Sequence, residues 1–228
     1  MKTILFTLLS CLVLNADPAP TRPSQKVRVT QGWSAYDVTG INIPVYQAPG
    51  DLITVDFPNR YAKAPLLSFA TIPRIASIAG KTITATIQIT ASPGSVYSVS
   101  STGGWSIPPN VRIYFTTRPG NYRYSEADKY DTSYWWSDTA FVHLTEDVVN
   151  GLAASMMAMF TAPLNPTEWS DALGHSATES PFYTAAFNAA ADAPAQFGFS
   201  FGSGSFFDTG VGEWLGSITF HVLSYSVQ

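Results

Sequence analysis

The chain has 228 residues, of which 46% are hydrophobic and 12% are charged, and its formal net charge is −4. The hydrophobic share is large enough for a packed core, which excludes a disordered chain and a collagen-like fibre. The acidic balance argues against a phosphate-binding surface and the sequence shows no basic stripe, so we predict no nucleic-acid partner.

The first 16 residues follow the pattern of a secretory signal peptide. Lys2 supplies a positive charge, an apolar run extends from Thr3 to Leu14, and Ala16 is a small residue at the expected cleavage position. The run is too short to cross a membrane, and no later segment approaches about 20 consecutive apolar residues. We therefore predict an exported protein without a membrane span, either secreted or held at the cell surface.

The single cysteine, Cys11, lies inside this leader. Cleavage after residue 16 would leave a mature chain without disulfides, so that packing alone holds the fold. Cleavage before Cys11, at "LLSC", would instead place a lipid anchor on the cysteine, and both routes stay open. Residues 17–26 are rich in proline and polar side chains, which predicts an extended linker. Residues 27–228 show no second linker and are predicted to form one domain.

Several segments alternate between apolar and polar residues, the pattern of half-buried strands. The clearest is "KTITATIQIT" at residues 81–90, with isoleucines on one face and mostly threonines on the other. "NVRIYFTT" at residues 110–117 alternates likewise and carries Arg112 on its polar face. We predict further strands in "DLITVDF", "YWWSDTAFVHL" and the methionine-rich "GLAASMMAMFTAPL". In "SITFHVLSYSV" we expect one face to hold Ile218, Phe220, Val222 and Ser224.

The segment "SPFYTAAFNAAADA" predicts one short helix near residues 181–191. Ser180 is a suitable N-cap, and Pro181 suits the first helical position. The residues expected on its buried face are Phe182, Ala186 and Ala189. About 8 to 10 strands with one helix in a single domain predict an all-β antiparallel sandwich.

Four segments, "IPPNVRIYF", "SYWWSD", "EWSDALGHSA" and "FGFSFGSGSFFDTGVGEW", together give the chain a family resemblance. It resembles secreted jelly-roll domains of the galactose-binding-like, carbohydrate-binding-module type over residues 27–228. The resemblance implies a jelly-roll sandwich that binds glycans through loops at one end and sometimes holds a structural calcium.

Aromatic residues are the main candidates for ligand contact, because sugars stack their apolar faces on rings while polar side chains bond the hydroxyls. Strict alternation in "YWWSD" places Tyr134, Trp136 and Asp138 on one face, and Trp135 on the other face with Phe141. We therefore expect Tyr134 and Trp136 to be half-exposed contact residues, and Trp135 to lie in the core.

Two further tryptophans, Trp105 and Trp214, lie near glycines in segments that we predict to be loops, where a ring is more easily exposed. Each could contact a ligand or cap the sandwich. The full set of predicted ligand-binding residues is Trp136, Tyr134, Asp138, Trp105, Trp214 and Arg112.

The polar run "EADKYD" holds the only metal candidates, Glu126, Asp128 and Asp131, whose oxygen ligands suit calcium although their spacing matches no dedicated calcium loop. The same acids resemble a shortened glycosidase signature, but their polar neighbours favour a loop. The segment "GHSAT" lacks the second glycine of a nucleophile elbow. We thus predict no catalytic residue and no cofactor beyond a possible structural calcium.

These observations predict a secreted, non-catalytic module that binds an extracellular glycan or another cell-surface component. Two alternatives stay open. One is a structural or adhesive surface protein without a small-molecule ligand, and the other is a glycoside hydrolase or lyase.

Overall fold

A computed structural model describes residues 27–28, 32–59, 65–72, 75–99, 109–118, 132–144, 155–203 and 210–228. Several predictions fall outside the described residues. These concern the signal peptide at 1–16 with Cys11, the linker at 17–26, Trp105, and the acids Glu126, Asp128 and Asp131.

The described part of the chain contains fifteen strands and one α-helix, α1. In chain order the strands are β1 Val27–Arg28, β2 Trp33–Asp37, β3 Asn42–Ile43, β4 Val45–Gln47, β5 Ile53–Asp56, β6 Leu66–Thr71, β7 Thr82–Ala91, β8 Val96–Val99, β9 Pro109–Thr116, β10 Tyr134–His143, β11 Ser155–Pro163, β12 Trp169–Asp171, β13 Gln196–Ser203, β14 Val211–Leu215 and β15 Ile218–Val227. Six of them are only two to four residues long, which is why the number exceeds the count expected from the longer alternating segments.

The strands form two sheets, and all pairings between the named strands are antiparallel. The six-stranded sheet has the order β1-β4-β5-β15-β7-β11. The nine-stranded sheet has the order β12-β10-β9-β13-β6-β14-β8, with β2 joined to β6 and β3 joined to β2. This architecture confirms the all-β sandwich, while the jelly-roll connectivity stays a prediction.

The alternating segments place their apolar residues between the sheets. On β7, Ile83, Ala85, Ile87 and Ile89 are buried, and the threonines between them are partly exposed on the outer face. Burial of each isoleucine stabilises the fold by about 2 kcal/mol relative to an exposed side chain. The methionine-rich segment is the strand β11, as its alternation predicted.

Strand β15 keeps the expected alternation only in its first half. Its pairing register with β7 shifts between Val222 and Ser224. The shift leaves Ser224 exposed, so its expected place on the buried face is wrong. Tyr225 takes the inward position and packs against Phe197 of β13, with ring centroids 5.5 Å apart.

The helix α1 extends over Pro181–Asp192, with Ser180 as N-cap, as predicted. Its expected buried face is wrong for Phe182 and Ala189, which are exposed, whereas Ala186 is partly buried against the core. The fully buried residues are Phe187, Ala190 and Ala191. The Phe187 ring decides the orientation. It packs edge-on against Trp135, with ring centroids 5.3 Å apart, inside the core.

Gly198 on β13 lies where two backbones approach closely. A Cβ at this position would lie 2.3 Å from the Phe69 carbonyl oxygen and 2.7 Å from the Ala70 Cα atom. No side-chain rotation relieves a clash with backbone, so we expect Gly198→Ala to lower the free energy of unfolding by about 3 kcal/mol or more. Urea denaturation measures the change.

The matched control is Gly80→Ala, at a glycine with a positive φ of 66° and open space around it. We expect this variant to lower the free energy of unfolding by only about 1 kcal/mol, which is the cost of a left-handed backbone for alanine. Equal losses in the two variants would contradict the close approach at Gly198.

Candidate functional site

The three consecutive aromatic residues of β10 lie on two faces of the nine-stranded sheet. Trp135 is fully buried in the core between the sheets, as predicted. Tyr134 and Trp136 lie on the other face, where each is only 2% exposed. The expectation that these two rings are half-exposed is therefore wrong.

Tyr134 and Trp136 are buried because side chains of neighbouring strands cover them. Tyr134 stacks on Tyr114 of β9, with ring centroids 4.7 Å apart and an angle of 14° between the rings. The members of this second apolar cluster are Leu67, Ala70, Tyr114, Tyr134, Trp136 and Ala172. Alternation within β10 identified the face of each ring but carried no information about the neighbours that cover that face.

Strand β10 is irregular after these rings, and the irregularity changes the position of Phe141. Trp136 pairs with Tyr114, but the next paired residue is Phe141, which lies opposite Arg112. Ser137 Oγ accepts hydrogen bonds from the backbone N–H of Thr139 and Ala140 and so stabilises the bend. Phe141 therefore lies on the same face as Arg112. The prediction from alternation that it shares the buried face of Trp135 is wrong. The Phe141 ring is 37% exposed.

Four side chains meet at this irregular segment, and we call Arg112, Asp138, Phe141 and Ser170 the Arg112 group. The guanidinium carbon of Arg112 lies 5.0 Å from the centre of the Phe141 ring and 5.7 Å from that of Trp136. Arg112 Nη1 lies 3.9 Å from Asp138 Oδ1. Ser170 Oγ donates a hydrogen bond of 2.7 Å to Asp138 Oδ2. The structure thus joins two of the predicted binding residues, Arg112 and Asp138, to an exposed ring.

Partial burial sets the electrostatics of the pair. Desolvation raises the pKa of Asp138, while the hydrogen bond from Ser170 and the charge of Arg112 act to lower it. Desolvation also lowers the pKa of Arg112, and the Asp138 carboxylate acts in the opposite direction. Arg112 is mostly covered, whereas Asp138 is about as exposed as Phe141, so the carboxyl group is the more accessible partner.

Ser170 reaches Asp138 because β12 pairs with β10, where Ser170 lies opposite Trp136. The buried carboxylate of Asp171 fixes the chain that follows β12. Asp171 Oδ1 accepts hydrogen bonds from the backbone N–H of Leu173 and His175, at 2.9 Å and 2.8 Å. Its Oδ2 lies 3.1 Å from His175 Nδ1. Sequence reasoning missed Ser170 and Asp171 as supporting residues, although their position in "EWSDALGH" is typical of a polar turn.

Trp214 is exposed, but it does not join the Arg112 group. It lies on β14 rather than in a loop. In the nine-stranded sheet, β13 and β6 stand between β14 and β9, which carries Arg112. The predicted contact residues are therefore divided between two places on the sheet.

A second polar network, missed by sequence reasoning, lies on the outer face of the six-stranded sheet. His221 Nδ1 lies 2.6 Å from Asp51 Oδ2, and His221 Nε2 lies 2.9 Å from Thr90 Oγ1. Thr54 Oγ1 donates a hydrogen bond of 2.8 Å to the same Asp51 oxygen. His221 is separated from Thr90 by 131 residues and from Asp51 by 170, so no local sequence motif predicts the network.

Among the described residues, no group of three or more His, Cys, Asp or Glu side chains is arranged to hold a metal ion. That part of the chain also has no helix with the length and apolar character needed to cross a membrane. Comparisons of the chain with protein-family models, with curated proteins and with solved structures find no match.

The hydrogen bond from Ser170 should be measurable in the titration of Asp138. We expect Ser170→Ala to raise the pKa of Asp138 further, because the lost hydrogen bond stabilised the charged carboxylate. A pH titration followed by carboxyl-carbon NMR measures this pKa. Thr139→Ala is the control, since Thr139 Oγ1 donates to Glu168 instead. A lower pKa in Ser170→Ala would contradict this assignment.

Proposed function

We propose that the protein is an exported, non-catalytic module that binds a glycan or another cell-surface component through the Arg112 group. The observation that carries this proposal is the exposed Phe141 ring beside the paired Arg112 and Asp138 side chains. An exposed ring with hydrogen-bonding groups beside it suits a sugar, which has an apolar face and a hydroxyl rim.

The polar partners of this group are held in place before a ligand arrives. Arg112 lies over the buried Trp136 ring, and Asp138 accepts a hydrogen bond from Ser170. Fixed side chains lose less conformational entropy on binding, which favours affinity from a small contact area. A sugar hydroxyl can donate to the Asp138 carboxylate while a neighbouring hydroxyl accepts from Arg112.

The charges of the group favour an uncharged glycan, because the cation and the carboxyl group stand side by side. Export belongs to the same proposal and is supported by the signal-peptide pattern at residues 1–16. A structural calcium at Glu126, Asp128 and Asp131 also stays a proposal, supported by their oxygen-rich sequence context.

Removal of the exposed ring tests the glycan proposal. On a panel of neutral oligosaccharides, we expect the protein to retain at least one ligand, and Phe141→Ala to bind it at least about tenfold more weakly. Calorimetry or tryptophan fluorescence measures the affinity. Phe182→Ala, which removes an exposed ring from α1, should bind normally. Silence across the panel, or normal binding by Phe141→Ala, would reject the proposal.

A second function, adhesion through self-association, is favoured by exposed apolar side chains on β11 of the six-stranded sheet. Strand β11 ends the sheet order in the described part of the chain. Its outward side chains Met157 and Met159 are 62% and 80% exposed. Exposed sheet edges with apolar side chains are typical places for pairing with another chain.

A charge on this edge distinguishes the two functions. If β11 mediates self-association, sedimentation velocity should show oligomers whose fraction increases with protein concentration. Met159→Lys should abolish these oligomers. The charge would repel its copy and interrupt the apolar contact. Leu173→Lys, at an exposed leucine in a loop, should leave the oligomers unchanged. A monomer at all concentrations would exclude adhesion of this kind.

A further inference from the structure

A cavity of about 560 Å³ opens at one end of the sandwich, between the two sheets. It lies where β2 and β13 begin and where β6 and β15 end. Cavities of several hundred Å³ are the usual size for small-molecule sites. None of its lining residues belongs to the Arg112 group, so a ligand of the cavity is independent of the proposed glycan binding.

Three aromatic rings form the inner wall of the cavity. Tyr225 lies parallel to Phe197, with ring centroids 5.5 Å apart. Trp33 meets Tyr225 edge-on at 5.4 Å. Trp33 also contacts the buried Phe69, with centroids 5.0 Å apart, so the wall continues into the core. Rings held by the core keep their positions, which makes the wall a preformed apolar surface.

Three large aliphatic side chains of the cavity, Leu52, Ile72 and Ile75, are exposed to solvent. Ile72, the residue after β6, is 63% exposed. Clustered exposed aliphatic residues around a cavity are typical of a binding site, because a bound molecule removes their apolar surface from water.

The cavity offers few polar groups to a ligand. Among the described residues that line it, none is charged. Ser226 Oγ is engaged at 2.7 Å with Thr84 Oγ1. The Tyr225 hydroxyl is enclosed, without a hydrogen-bond partner in the described part of the chain, and burial raises its pKa well above the ordinary value. Thr71 therefore contributes the hydroxyl that remains for a ligand.

We infer that this cavity binds a neutral, mainly apolar small molecule that carries one hydroxyl or carbonyl group for Thr71. The described residues that line the cavity offer no charge to pair with a charged ligand, and a sugar would bury more hydroxyls than these residues can bond. At the packing density of protein interiors, the volume fits on the order of 20 non-hydrogen atoms. An aryl compound or a medium-chain alcohol meets these conditions.

The first test is titration of the full chain with phenylnaphthylamine, a neutral fluorescent probe of suitable size. We expect one saturable site with a blue-shifted emission. Decanol should displace the probe, whereas decanoate at neutral pH and neutral oligosaccharides should not. Absence of a saturable site would overturn the inference, and so would displacement by decanoate or by oligosaccharides as strong as that by decanol.

Two variants locate the site. Ile72→Asn places a polar group at the cavity and should weaken probe binding at least tenfold. Ile41→Asn is the matched control, at an isoleucine that is 65% exposed in the turn after β2, and should bind normally. Thermal unfolding checks that both variants fold. Equal binding by the two variants would reject this cavity as the site.

Thr71→Val tests the hydrogen bond while it preserves the shape of the side chain. We expect decanol to bind this variant about three- to tenfold more weakly, with the affinity of hexylbenzene unchanged. Equal changes for both compounds would reject the role of Thr71.

Sedimentation velocity tests whether a second copy of the chain covers the cavity. A dimer that Ile72→Asn dissociates would show that a second copy of the chain covers the cavity, and would overturn the inference.

Discussion

Aromatic packing between the sheets is the constraint on which the rest of this structure depends. Phe220 of the six-stranded sheet meets Phe199 and Phe201 of the nine-stranded sheet, with ring centroids 5.2 Å and 5.1 Å apart. The chain has one cysteine, so no intrachain disulfide can replace this contact. Edge-to-face rings are directional as well as apolar, and they fix the distance and the angle between the sheets. The sheets held in this way position the side chains at the surface.

The outer faces of the two sheets carry different groups of side chains. The second apolar cluster closes part of the nine-stranded sheet, and the Arg112 group stands beside it where β10 becomes irregular. On the outer face of the six-stranded sheet, His221 joins Asp51 and Thr90. The proposed recognition through a ring and a charge pair therefore belongs to one face, while the other face carries a hydrogen-bonded network that joins neighbouring strands.

Irregular strands produce both the Arg112 group and the cavity. The register shift in β10 moves Phe141 to the face of Arg112, and the shift in β15 turns Tyr225 toward Phe197 at the cavity. Bulges of this kind redirect side chains that strict alternation would place elsewhere, and they commonly occur beside functional sites. The regular strands hold the molecule together, and the irregular strands shape its surfaces.

The sequence by itself determined the strands β5, β7, β9, β10, β11 and β15 and the start of the helix. Alternation identified the buried isoleucines of β7 and placed Trp135 in the core, and Pro181 marked the first turn of α1, because these signals act within a few residues. Only the tertiary structure decided that Trp136 is covered and that Phe141 is exposed. Strand register and the cover of a face depend on partners far away in the chain, and local periodicity contains no information about those partners.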